Sequence, residues 1–254
     1  TRTGSFFENS EMKAKGPPSP EELKLLEPHR AKLPEAVFGD PYSPPVTDGS
    51  GSDRKLLREA ATLLDQAGLK VVGGKRVDAK GEPVSIEILL FDAGFERIVG
   101  PYVENLKRLG IDASMRKVDP AQYERRVKSF DFDMTVKRYV MRLTPGIELK
   151  TYWSADAARM DGSQNLAGIA DPVIDDLIAK VVAARSRPEL LVATRAIDRV
   201  LRAGHYWVPH WYKAAHNLAY WNKFGRPEVK PLYERGVVHT WWYDAAKAQS
   251  LKPN

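Results

Sequence analysis

Between Val84 and Val140 the apolar residues switch repeatedly between two periods, and this limits the chain to few folds. Val84 to Phe91 is an apolar, β-branched run of strand type. Phe95, Ile98, Val99, Tyr102, Leu106 and Leu109 then recur on one helical face, with Gly110 as the stop and Gly100-Pro101 as an expected kink. Ile111 to Val118 reads as a second strand. Asp119-Pro120-Ala121-Gln122 opens a second helix, with Asp119 as N-cap and Gln122 completing a capping box. The stretch from Asp131 begins as a third strand, with Phe132, Met134 and Val136 alternating with Asp131, Asp133 and Thr135. Short connections in a β-α-β-α-β series imply right-handed crossovers, hence an α/β fold with a mixed, largely parallel sheet and flanking helices.

The third strand then loses its pattern. Lys137, Arg138 and Arg142 surround Tyr139, Val140 and Met141, just before Thr144-Pro145-Gly146. Open α/β sheets bind ligands beyond the carboxyl ends of their strands, so cations and an aromatic ring there suit a ligand site. The same residues also read as a solvated basic loop.

The flanking sequence is of different character. Residues 1–52 are punctuated by Pro and Gly and read as extended, turn-rich chain. One short helix interrupts them, capped by Ser19, with Pro20 at its first position, Glu22 closing a capping box and Pro28 ending it. Phe6, Phe7, Leu26, Val37, Phe38 and Tyr42 are apolar anchors that would pin this segment. Asp48-Gly49-Ser50-Gly51 lacks the Lys-Ser/Thr pair of a phosphate loop and reads as a turn before a helix capped by Asp53. Gly73-Gly74 and Lys80-Gly81 mark a turn or hairpin. Asp171-Pro172 and Ser186-Arg187-Pro188-Glu189 each start a helix. From His205 the chain is dense in aromatics, with an expected strand at Ala215–Trp221. Five of its six Trp lie beyond residue 200. Such rings fill cores or line ligand clefts.

The chemistry-bearing residues give no catalytic pattern. There is no Cys, so no thiol nucleophile and no Cys-ligated metal. Asp131/Asp133 and Asp175/Asp176 have no nucleophile beside them. His205, His210 and His216 lack a spacing that lays two metal ligands on one helix face. The expectation is a non-enzyme without cofactor or metal. The net charge of +6 is scattered, with no uninterrupted basic run of 5–8 residues, which argues against nucleic acid as a partner. No apolar run is long enough to span a bilayer.

Several motifs in a fixed order carry a resemblance. They begin with Phe6-Phe7-Glu8-Asn9-Ser10-Glu11-Met12, Pro20-Glu21-Glu22-Leu23, Val37-Phe38-Gly39 and Asp48-Gly49-Ser50-Gly51. Leu109-Gly110-Ile111-Asp112 follows, with Tyr123 and Phe130-Asp131-Phe132-Asp133-Met134. Asn165-Leu166-Ala167-Gly168 with Asp171-Pro172 and Asp175-Asp176-Leu177-Ile178 comes next, then Trp207-Val208-Pro209-His210-Trp211-Tyr212 and Trp241-Trp242-Tyr243-Asp244. Together they resemble the family 5 extracellular solute-binding proteins of bacterial ABC importers, in the peptide-type, YejA-like branch, and only their C-terminal portion. The resemblance implies a periplasmic binding protein-like type II lobe at residues 53–230. It implies that residues 1–52 pack on that lobe and that 231–254 form a hinge strand, from the Gly225–Gly236 connector, returning to the other lobe.

The function so implied is capture of oligopeptides or peptide-like compounds in the periplasm. The implied partners are the N-terminal lobe of the same protein and the membrane permease, with the signal peptide lying outside this sequence. Related scaffolds take oligosaccharides or opine-like compounds, and a peptide hydrolase is the enzymatic alternative. Ligand-binding candidates are Arg138, Tyr139, Arg142, Trp153, Asn165, His210 and Trp211. In peptide-binding relatives an aromatic residue and an Asp after the third strand receive the ligand's α-ammonium. Here Tyr139 matches the aromatic, but Arg142 stands at the Asp position. That reversal favours N-blocked or acidic cargo, or another register, since Arg pairs with carboxylates and phosphates.

Overall fold

The computed structural model describes residues 2–233, 236–237 and 239–251. In chain order these form α1 (Pro20–Leu26), α2 (Arg54–Gln66), β1 (Lys70–Val72), β2 (Lys75–Val77), β3 (Ser85–Leu90) and α3 (Glu96–Arg108). Then come β4 (Asp112–Lys117), α4 (Pro120–Lys128), β5 (Met134–Thr135), α5 (Glu148–Trp153), α6 (Pro172–Ala183) and α7 (Arg187–Ala203). β6 (Phe224–Gly225), β7 (Trp242–Tyr243) and α8 (Ala245–Gln249) follow. The chain forms two compact units. The first comprises Thr1–Tyr42, Val140–Glu148 and Asp176–Asn254, and the second Ser43–Tyr139 and Leu149–Asp175.

The second unit holds the parallel sheet. β3 is central, pairing in parallel with β4 from Ser85 opposite Asp112 to Leu90 opposite Lys117. It pairs in parallel with β5 through Ile88 opposite Met134 and Leu89 opposite Thr135. Ile88, Leu90, Val99, Val103, Leu106, Ile111 and Ala113 form its buried core. α3 runs through Pro101 without interruption, although the ring removes one donor from the ladder. The antiparallel β1–β2 hairpin turns at Gly73 and Gly74, both at positive φ. Arg76 staples this hairpin to its surroundings. It is buried, donates to Asp65, to Leu69 O at 2.6 Å and to Leu109 O at 2.9 Å, and its backbone N–H reaches Gly110 O at 2.7 Å.

The third strand is shorter than its alternation suggests. Only Met134 and Thr135 join the ladder. The residues after them form side-chain bonds instead: Lys137 donates to Gln164, and Tyr139 packs edge-on against Tyr152. The expected strand at residues 215–221 is also absent. Leu218, Tyr220 and Trp221 are exposed there, and no described strand lies alongside to take up their backbone groups. Of the proposed hinge strand, Gly225 belongs to β6, which pairs antiparallel with β7, and residues 226–233 lie outside any strand. Residues 234, 235, 238 and 252–254 of the expected return segment lie outside the described residues.

The first unit is built around α7. Its cap is as expected, with Ser186 accepting from Glu189 N. Ala193, Ala196, Ile197 and Leu201 are buried, and the helix packs on α1. The same helix also buries Asp198, Arg199 and Arg202, and these hold the extended N-terminal segment. Asp198 accepts from Ser5 Oγ at 2.7 Å and from Ala14 N at 3.0 Å, with Arg202 at 3.2 Å. Burial pushes its carboxyl up against these three bonds. Arg202 donates to the carbonyls of Ala14, Pro41 and Tyr42, and Arg199 to those of Gly39 and Lys15. Arg199 Nε also meets Glu22 Oε2 at 2.6 Å. Glu22 therefore serves a buried ion pair, while Ser19 caps α1 by accepting from Glu22 N. Phe6, Phe7, Leu26 and Val37 are buried as anchors, whereas Tyr42 stays exposed, its ring edge-on to His205.

Candidate functional site

All three strands of the sheet point the same way, so their carboxyl ends open on one side. Phe91, directly after β3, is half exposed and packs at 4.6 Å on Tyr123 of α4. The Tyr123 hydroxyl pairs with Thr135 Oγ1 at 2.9 Å, and Thr135 Oγ1 donates to Leu89 O at 3.0 Å. These bonds fix the end of β5 and with it the direction of Lys137, Arg138 and Tyr139. Tyr139 rests on α5, with its ring 5.6 Å from Tyr152 and 6.4 Å from Trp153. Its phenol is pushed up to about 12, by burial first and then by Tyr152. Burial depresses the Lys137 ammonium, opposed by Glu124. Arg138 is exposed and has no hydrogen bond or ion pair among the described residues. The face thus offers aromatic walls and an unneutralised guanidinium, a combination suited to a peptide-like ligand with an acidic group.

The other candidates are differently placed. Trp153 is fully buried and forms the floor beneath Tyr139, out of reach of a ligand. Asn165 is fully buried too, and its amide is committed. Nδ2 donates to Ser154 O and Ile169 O, while Oδ1 accepts from Ile169 N at 2.9 Å. It braces the loop between α5 and α6 and has no amide group left over for a ligand. Arg142 belongs to the first unit, in the loop 140–148, where it is exposed without a hydrogen bond or ion pair among the described residues. His210 and Trp211 also lie in the first unit. Thr3 N donates to His210 O, Trp211 bridges Arg2, and the Trp211 ring is 52% exposed. Burial and then the Arg2 charge lower the His210 imidazole, favouring its neutral form. Nearby in sequence, Tyr212 lines a polar depression of about 500 Å³ with Glu8, Glu11, Lys13 and Lys15.

Sequence reasoning did not select Phe91 and Tyr152. Phe91 ends an apolar run of strand type, and only the common strand direction brings it to the sheet end.

No protein-family model matches the chain. Among curated proteins it is 43% identical to the uncharacterized protein y4wM of Sinorhizobium fredii, over 96% of this chain and 37% of that one. It is 41% identical to the probable peptide-binding protein YejA of Agrobacterium fabrum, over 95% and 39%. It is 37% identical to the peptidoglycan-binding protein YepA of the same species, over 95% and 39%. The chain spans about two fifths of the length of these relatives. Among solved structures, the oligopeptide-binding protein AppA of Bacillus subtilis with a nonapeptide superposes with TM-score 0.57 at 14% identity, covering 94% of this chain and 47% of AppA. A periplasmic oligopeptide-binding protein of Thermotoga maritima holding mannohexaose gives 0.55 at 16% identity, covering 82% and 41%. These likenesses establish the fold as the type II periplasmic binding protein lobe expected from the sequence.

Proposed function

We propose that this chain, a homologue of the YejA-type binding proteins along 95–99% of its length, forms most of one lobe of an ABC importer's substrate-binding protein. Its cargo is an oligopeptide or peptide-like compound captured in the periplasm. The other lobe of the same protein and the membrane permease are its partners, and it turns nothing over. The observation that carries this reading is the sheet-end face, where Tyr139 stands on Tyr152 beside Arg138, which has no ion pair among the described residues. Residues 53–230 are the ligand-binding lobe, with 1–52 packed on it and 231–254 returning to the other lobe. Arg138 selects cargo that is acidic or blocked at its amine, and Arg142 of the first unit is a separate candidate cargo contact. The names of YejA and YepA, one peptide-binding and one peptidoglycan-binding, fit peptides of that kind.

The test is calorimetry on the full-length protein with synthetic acidic peptides, free or N-acetylated. Acetylation should leave affinity unchanged or raise it, and salt should weaken binding. Arg138→Ala should cost about tenfold, the value of one charge-assisted contact. Binding of mannooligosaccharides but of neither peptide form would move the cargo to sugars, a reading favoured by the mannohexaose held on this fold in the Thermotoga protein. Peptide turnover lost on Asp133→Asn would make the protein a hydrolase instead.

A further inference from the structure

Arg187 sits at the first position of α7, where the helix dipole disfavours a cation. Its side chain turns away to meet three separate segments of the first unit. Nε and Nη2 donate to Glu11 Oε1 at 2.8 and 2.5 Å, Nη1 donates to the carbonyl of Leu143, and the guanidinium lies 4.3 Å from the centre of the Tyr233 ring. Leu143 follows Arg142 in the loop 140–148. Among the described residues, the other hydrogen bond of that loop is local, from Gly146 N to Glu148 Oε2 at 3.1 Å. Val140, Leu143 and Ile147 are exposed and Pro145 is buried, so the loop is held at Pro145 and at the Leu143 carbonyl. A residue that is unfavourable where it stands, yet engaged by three distant segments, points to a role beyond its own helix.

We propose that Arg187 is a positioning residue: it fixes the loop of the first unit that carries Arg142 and ties that loop to the C-terminal segment at Tyr233. Only a planar, forked cation can serve a carboxylate, a carbonyl and an aromatic face together, so lysine is not an equivalent. Loss of the fork frees the loop, and with it the backbone that carries Arg142. Because Tyr233 shares the guanidinium, a change at Tyr233 reaches the loop without touching it. The proposal rests on the reading of Arg142 as a cargo contact, but the positioning itself is measurable without cargo.

The test uses the full-length protein. Hydrogen–deuterium exchange without ligand should show faster exchange across 140–148 in Arg187→Lys and Arg187→Met, and a smaller rise in Tyr233→Leu. Peptides from the buried face of α7 should be unchanged, which separates loss of positioning from general unfolding. With the N-acetylated acidic peptides, Arg187→Lys should weaken binding by about tenfold, the size of one lost charge-assisted bond. Adding Arg142→Ala to Arg187→Lys should then cost no more than Arg142→Ala alone, because the two act through one contact. Unchanged exchange over 140–148 would overturn the positioning role. Faster exchange with unchanged affinity in Arg187→Lys and full affinity in Arg142→Ala would leave Arg187 as the loop's clamp and remove Arg142 from the cargo site.

Discussion

Arg199 is 1% exposed and Glu22 3%, so each is the other's main defence against an uncompensated buried charge. Arg199→Met should cost about 3–5 kcal/mol in urea unfolding, because it strands the carboxylate. Adding Glu22→Leu to that variant should return most of the loss. Sequence alone could not show this. Ser19 and Glu22 have the spacing of a capping box, and only the fold brings a residue 177 positions away to claim the carboxylate. Tyr139 makes the opposite case, since its place after the third strand was legible. Its raised phenol binds its proton more tightly folded than unfolded. It therefore adds stability below pH 10 that is lost as pH climbs towards 12. Difference titration of the phenolate band against Tyr139→Phe should show one tyrosine ionising near the top of that range, and the variant should lose less stability across it.

At the scale of elements, legibility followed periodicity and capping. β3, α3, β4 and α4 stand where alternation and helical spacing put them, and Asp53, Asp119 and Ser186 cap as their sequences imply. β5 is shorter than its alternation suggests, and residues 215–221 form no strand. Alternation reports which face of an extended segment is apolar, and a strand also needs a neighbour to pair with. Gly110 and Gly100 offer a test within one β-α-β unit. Gly110 has φ +86°, and a Cβ there would lie 3.0 Å from Arg76 N. Gly100 is helical, with open space around it. Gly110→Ala should destabilise by about 1–3 kcal/mol through backbone strain and the Arg76 staple. Gly100→Ala should stabilise by about 0.5–1 kcal/mol through helix propensity. Thermal unfolding of both variants checks the contrast.

For the molecule as a whole, motif order pointed to the fold, while the burial of its aromatic tail was not legible. Trp211, Trp221, Trp242 and Tyr243 could have been core fillers by composition, yet all four are more than half exposed. The α7 clasp has a consequence in time. Asp198 holds the backbone of Ala14 across 184 positions of sequence. At about 5–20 residues per second, the ribosome makes the N-terminal segment roughly 10–40 s before its anchor exists. Through that interval Ser5 and Ala14 lack the carboxylate that they bond in the fold, so the nascent chain depends on whatever holds it unfolded until the helix emerges.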